Sequence, residues 1–345
     1  MRRHSLLALT LTPLAGVNAL LAQDAFTLKQ VTPSVYLAIA NPSGWGANSN
    51  AAVVILDDGV LVVDSHSRPS TARALVKQIR RITDKPVRYV VDSHFHYDHA
   101  QGNQAYAGVW PAGAEIISSE ATRFNLEHIG VARMQWDLAV LPDSIVIWRG
   151  QRDAASDSAA RAGLTRKIDD ATRYVAELKA MELTLPTLTF ERGVTLRRGA
   201  QTVHVLYLGR GHTDGDVVVY LPRERVVATG DLLHAYAPFM WDSYPYDWIK
   251  TLGELEKLDF DYILPGHGGV LSGKDQIRLW REYLGDLMRE VELQVGKGRS
   301  RSETVAALMP VLRERYASRF PPGSLEEYLA SDIEKAWNVV GLGAR

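Results

Sequence analysis

The stretch Ser93-His94-Phe95-His96-Tyr97-Asp98-His99 constrains this chain more than any other. Three of the ten histidines and one carboxylate fall within six consecutive positions. Neutral imidazole is the commonest protein metal ligand, and Asp adds a hard oxygen beside it. His94 and His96 are two apart, so on an extended backbone they point to the same side. Asp98 and His99 follow where the chain should turn, which lets them face a second ion beside the first. The apolar run Val87 to Val91 predicts the strand that delivers the cluster.

Three later segments serve the same purpose. Gly209-Arg210-Gly211-His212-Thr213-Asp214 offers His212. Ala228-Thr229-Gly230-Asp231 offers Asp231 after the run Val226-Val227-Ala228, and Leu264-Pro265-Gly266-His267-Gly268 offers His267 after Tyr262-Ile263-Leu264. Each is a strand-like run closed by a glycine-containing turn that presents one ligand-type side chain. Loops at strand ends are where scaffolds usually place chemistry.

His-x-His-x-Asp-His, a Gly-His turn, an Asp after a strand and a late Gly-His occur here in that order. With them the chain resembles the metallo-β-lactamase superfamily of hydrolases over roughly residues 28–275. The resemblance implies an α/β (α+β) fold, a four-layer αβ/βα sandwich. Residue by residue, it implies that His94, His96 and His212 hold one zinc ion, that Asp98, His99 and His267 hold another, and that Asp231 bridges the two. Asp98 would also orient the attacking water, so no separate Ser or Cys nucleophile is needed. Asp64, at the end of the run Val60 to Val63, matches the family carboxylate that steadies the metal loop. Such partners fix ligand orientation and imidazole tautomer.

Asp231 stands where one large group of β-lactamases has Cys, and His99 where that group has Arg. The ligand set looks more like glyoxalase II, lactonases and related hydrolases. The stretch Gly211 to Pro222, the hairpin around Trp45 and the export signal look β-lactamase-like. The expected activity is hydrolysis of an amide, ester or lactone-type bond, with β-lactams among the candidates. The alternatives are a non-haem iron oxygenase, like the persulfide dioxygenases of the same fold, or a phosphodiesterase. The same ligand types suit iron or manganese as well as zinc.

The chain has no cysteine. That excludes disulfides, thiolate zinc sites and cysteine nucleophiles, and leaves nitrogen and oxygen as the only metal ligands. Arg2 and Arg3, the apolar stretch Leu6 to Leu21 and the small residue Ala22 read as a secretory signal over residues 1–22. The protein is therefore expected to be periplasmic or secreted. Its net charge of −1 becomes −3 without Arg2 and Arg3. Charge thus makes no general case for nucleic acid or an anionic membrane as partner. A small-molecule substrate is expected, and the oligomeric state stays open.

The rest divides into a catalytic domain over 25–273, with a helical insertion over about 120–186, and a helical extension over 274–345. Trp45, between Gly44 and Gly46, reads as a lid over the substrate or as a ring packed on its own domain. Asp57-Asp58-Gly59 between apolar runs is a hairpin signal. Ala72, Leu75, Val76, Ile79 and Ile82 predict an amphipathic helix over 70–82. In the insertion, 121–138 and 169–183 predict helices, and 151–163 predicts an exposed loop or weak helix. The aromatic run Leu232 to Tyr244 lines a substrate pocket or fills core, and His234 is its candidate pocket residue that is not a ligand. Leu284, Leu287, Met288, Val291 and Val295 form the apolar face of a C-terminal helix, with two more helices over 303–316 and 325–340.

Overall fold

The computed structural model describes residues 25–41, 48–107, 113–341 and 343. The expected signal segment and Trp45 lie outside the described residues. Seven strands form the first sheet in chain order: β1 (Phe26–Thr32), β2 (Val35–Ala40), β3 (Ala51–Ile55), β4 (Val60–Val63), β5 (Val87–Val91), β6 (Glu115–Ser119) and β7 (Leu188–Phe190). The second sheet holds β8 (Gly193–Arg198), β9 (Gln201–Tyr207), β10 (Val217–Leu221), β11 (Val226–Gly230), β12 (Tyr262–Pro265) and β13 (Leu271–Ser272).

Strand alternation builds the layers. Leu61 and Val63 of β4 meet Val217 and Val219 of β10 in the core between the sheets. Val60 and Val62 point the other way, onto helix α1 (Pro69–Ile79). Val218, Val227 and Ile263 of the second sheet likewise face outward onto helices. Strands buried on both faces read as unbroken valine runs, because neither side of the pleat meets water. Helix α1 starts with Pro at its first position, where the missing N–H would be unsatisfied anyway. Two short helices, α2 (Tyr97–Ala100) and α3 (Gln104–Ala107), follow β5.

The insertion is α4 (Glu120–Asn125), a π-helical turn (Leu126–Gly130), and the long pair α5 (Val131–Ala154) and α6 (Ser158–Ala180). Of the two readings of 151–163, exposed loop or weak helix, the structure takes the helix, with a loop of only three residues between α5 and α6. Its alanines are strong helix formers, and Asp157 caps α6 by accepting from the Ala160 N–H at 2.6 Å. The two helices pack through Leu141, Ile145, Ala171, Tyr174 and Leu178.

Helices α7 (Pro245–Lys257), α8 (Asp275–Gly296), α9 (Arg301–Tyr316) and α10 (Ser324–Gly341) cover the second sheet. Trp248 of α7, Trp280 and Leu287 of α8, Leu312 of α9 and Ile333 of α10 share one core with Val218, Val227 and Ile263. The C-terminal helices are thus built onto the sheet that carries Asp231 and His267. Among the described residues, no helix is long and apolar enough to cross a membrane. Leu287→Ala should cost about 2–5 kcal/mol in denaturant unfolding, because its buried side chain joins the helices to the sheet. A loss below about 0.5 kcal/mol would show that this core does not join them.

Candidate metal centre

Parallel pairing fixes where the chemistry sits. β4 pairs in parallel with β5, and β11 with β12, so each pair ends on one side of its sheet. His94 and His96 leave the end of β5, and Asp98 and His99 lie on α2. His212 sits in the β9–β10 connection, Asp231 directly after β11 and His267 two residues after β12. The Val217 N–H donates to Ser93 O at 2.9 Å and ties the loops of the two sheets together.

These side chains converge. His94, His96 and His212 form one group, Asp98, His99 and His267 another, and His94, His99 and Asp231 a third that overlaps both; within each, one ligand atom per residue lies within 4.8 Å of the others. His96 Nδ1 is 2.9 Å from His212 Nε2. Asp231 Oδ2 lies 3.2 Å from His267 Nε2 and 3.7 Å from His212 Nε2. Asp98 Oδ2 lies 3.4 Å from His267 Nε2 and 3.6 Å from His99 Nε2. His94 Nε2, His99 Nε2 and Asp231 Oδ1 are buried without a hydrogen-bond partner. Buried polar atoms are normally paired, so three orphans converging on one point mark a place for cations. Five imidazoles and two carboxylates form a nitrogen and oxygen donor set that fits a pair of first-row divalent ions.

The opposite nitrogen of each imidazole is held from outside. His94 Nδ1 lies 3.0 Å from Ser93 Oγ, His99 Nδ1 2.8 Å from Asp64 Oδ2, and His96 Nε2 2.7 Å from Asp242 Oδ2. His212 Nδ1 donates to Phe239 O at 3.1 Å, and His267 Nδ1 to Asn48 O at 3.0 Å. Such contacts set ring orientation and tautomer. Asp64 also accepts from the Ser93 N–H at 2.8 Å and from Ser93 Oγ at 3.0 Å. Its φ is 70°, a left-handed conformation that costs a non-glycine residue about 1–3 kcal/mol. Gly266 is required for space, since a Cβ there would fall 2.1 Å from Asp231 Oδ1.

Electrostatics sets His99 and His267 apart from His94 and His212. Burial opposes charge on His99, but the carboxylates of Asp231, Asp98 and Asp64 outweigh it and push the imidazole well above its ordinary value. His267 is raised in the same way, against burial, by Asp231 and Asp98. Asp231 is held well below the usual carboxylate range, because His267 and His99 outweigh its burial. Burial and neighbouring imidazoles push His94 and His212 well down.

His234 lies outside all three ligand groups. Its ring stands perpendicular to Trp280 at 4.7 Å and to His267 at 5.7 Å, and burial lowers it to about 3. His66 remains in its loop, stacked on Phe26 at 4.3 Å with Nδ1 3.1 Å from Ser49 O. Asp216 holds the turn rather than His212, accepting from the Thr213 N–H at 2.9 Å and from its hydroxyl at 2.5 Å. Of the aromatic run, Leu232, Leu233, Ala237 and Met240 are core, whereas Trp241 is exposed. Sequence reasoning missed Asn48 and Asp242. Neither lies at a ligand-type spacing from the histidine it serves, and Asp242 is 146 residues from His96.

Comparison with known proteins agrees with this geometry. The profile of the metallo-beta-lactamase superfamily matches residues 44–267. The linear primary-alkylsulfatase of Pseudomonas sp. is 23% identical over 284 residues, covering 76% of this chain. The chain spans only 52% of that protein's length. The metallo-beta-lactamase type 2 of Elizabethkingia meningoseptica is 22% identical over 264 residues, 75% of this chain and 82% of that protein. In three dimensions, a metallo-beta-lactamase from Pontibacter korlensis superposes with a TM-score of 0.55 at 18% identity, over 75% of this chain and 99% of the other. That likeness is one of fold.

Asp64→Asn removes the charged acceptor of His99 and should weaken metal binding by about 10–100-fold, read by chelator competition. Because His99 and His267 carry raised values in the metal-free protein, binding a cation must expel their protons. Apparent metal affinity should therefore fall between about pH 8 and about pH 6. An affinity flat across that interval would contradict the assignment of these two ligands.

Proposed function

The chain belongs to the metallo-β-lactamase superfamily, and from that premise we propose that it is an exported dinuclear zinc hydrolase. Its substrate class is an amide, ester or lactone-type bond, with β-lactams included. The observation that carries this reading is the convergence of His94, His96, Asp98, His99, His212, Asp231 and His267, with three of their buried ligand atoms left unpaired. Arg2, Arg3 and the apolar stretch after them support export.

Bound divalent cations would supply a water that ionises near neutral pH and a Lewis acid for the oxygen of the scissile bond. The chain's own residues then have defined tasks. Asp98 would help hold a cation and orient the attacking water, and Asn48 Nδ2 donates to Asp98 Oδ2 at 3.3 Å and steadies it. The Tyr97 hydroxyl lies 3.4 Å from the same amide nitrogen. Burial pushes the Tyr97 phenol up. Burial of His94, His99 and His212 excludes water from the far side of the ligands.

The alkylsulfatase relative brings a sulfate ester into the range to be tested. A hydrolysis panel of a chromogenic cephalosporin, a lactone, a thioester, an alkyl sulfate and a phosphodiester should show turnover by the zinc-loaded protein. Asp98→Ala should lower kcat/KM by about 10²-fold or more. Full activity in that variant would overturn the mechanism. One iron per chain in protein purified without added zinc, with no hydrolysis of any substrate, would favour the oxygenase instead.

A further inference from the structure

Two of the three imidazoles assigned to one ion lean on a single stretch of chain. His212 Nδ1 donates to Phe239 O at 3.1 Å, and His96 Nε2 lies 2.7 Å from Asp242 Oδ2. Both acceptors belong to the connection between β11 and α7, residues 231–244, which forms neither helix nor strand. The Tyr244 N–H donates to Gly211 O at 2.8 Å, so the same stretch also meets the turn that carries His212. The other ion's imidazoles are held differently. His99 leans on Asp64 and His267 on Asn48 O, both from the first-sheet half of the chain.

An irregular segment has no hydrogen-bond ladder of its own, so its buried backbone groups need partners from elsewhere. Ala237 and Met240 are buried, and the C-terminal helices supply the partners. Trp280 Nε1 of α8 donates to Tyr236 O at 3.0 Å. At the start of α10, Ser324 Oγ accepts from the Ala237 N–H at 3.3 Å. One turn on, the Tyr328 ring packs on Phe239, with centroids 5.2 Å apart. One turn further, buried Asp332 accepts from Tyr283 Oη at 3.1 Å and from the Met240 N–H. Ser324, Tyr328 and Asp332 are spaced by four and share one helix face. That face therefore meets positions 237, 239 and 240 in turn. Beyond it, Arg133 of α5 donates to both carboxylate oxygens of Asp242, at 2.9 and 2.7 Å.

We propose that Ser324, Tyr328 and Asp332 form a positioning stripe on α10 that sets the orientation of His212, and with it the ion site of His94, His96 and His212. The inference rests on the metal-centre reading above. Tyr328 is the lever, because its ring bears on the residue whose carbonyl holds His212. Without that ring Phe239 O is no longer fixed, and the imidazole must be ordered when the ion binds, which lowers affinity. His267, held by Asn48 O, is unaffected.

Hydrogen exchange at the imidazole N–H groups tests this, whatever the chain hydrolyses. Zinc-loaded wild-type protein, Tyr328→Ala and Tyr328→Phe are compared by nitrogen-edited NMR, with the His212 and His267 signals assigned by their loss in His212→Ala and His267→Ala. Tyr328→Ala should speed exchange of the His212 Nδ1–H by about tenfold and leave that of His267 within about twofold. In chelator competition, the zinc lost in His212→Ala should be held about tenfold more weakly in Tyr328→Ala. Tyr328→Phe keeps the ring and should match the wild type. Ser324→Ala loses only the Ala237 acceptor and should move the His212 signal the same way by about threefold, which keeps the test open if Tyr328→Ala does not fold. Unchanged exchange at His212 would overturn the proposal. So would an equal rise at both histidines, the mark of general loosening, or failure of Tyr328→Phe to restore the wild-type rate. The exchange is measured on metal-free protein as well. A wild type that takes up no zinc contradicts the metal-centre reading, whereas a His212 signal unmoved in both states contradicts the stripe.

Discussion

A buried carboxylate, Asp64, accepts from the Ser93 N–H, the Ser93 hydroxyl and the His99 imidazole, and those three contacts hold the metal loop against the end of β4. Asp64 adopts a left-handed backbone conformation to reach them. Hydrogen bonds to a charged acceptor contribute about 1.5–3 kcal/mol each, enough to offset the strain. The result is a loop whose histidines are turned inward by the protein's own hydrogen bonds. Orientation in advance matters here, because a ligand set that must be ordered on binding forfeits affinity to the entropy of ordering it.

The same principle extends around the site. Each imidazole uses one nitrogen for the protein and turns the other toward a shared centre, and the five partners come from four separate segments, Phe239 and Asp242 sharing one loop. The sandwich brings those segments together by ending parallel strand pairs on one side of each sheet. Asp231 and His267 emerge from neighbouring strands, and Gly266 leaves room for the carboxylate between them. The helices behind the second sheet fill a single core with it, so the platform that carries Asp231 and His267 depends on the C-terminal third of the chain.

What the sequence discloses follows from how far apart cooperating groups lie. Three imidazoles and a carboxylate in one short loop stand out because metal chemistry favours close spacing, and His212, Asp231 and His267 stand out because each follows an apolar run at a glycine turn; the structure brings all seven together. The strands are legible as valine runs because both faces are buried. Arg133 and Asp242, 109 residues apart, form a contact with no local signal. The left-handed φ of Asp64 leaves no mark in composition. The 151–163 segment reads either way, since alanine, serine and aspartate suit both an exposed loop and a capped helix start, and the structure takes the helix.

On the proposed reading, seven side chains form one site for two cations. Anomalous diffraction at the zinc edge, on crystals of the zinc-loaded protein, tests it without reference to any substrate. Two peaks are expected, one within bonding distance of His94 Nε2, His96 Nδ1 and His212 Nε2, the other beside Asp98, His99 Nε2 and His267 Nε2, with Asp231 touching both. A map with no peak there, or with zinc bound elsewhere on the protein, would contradict the account.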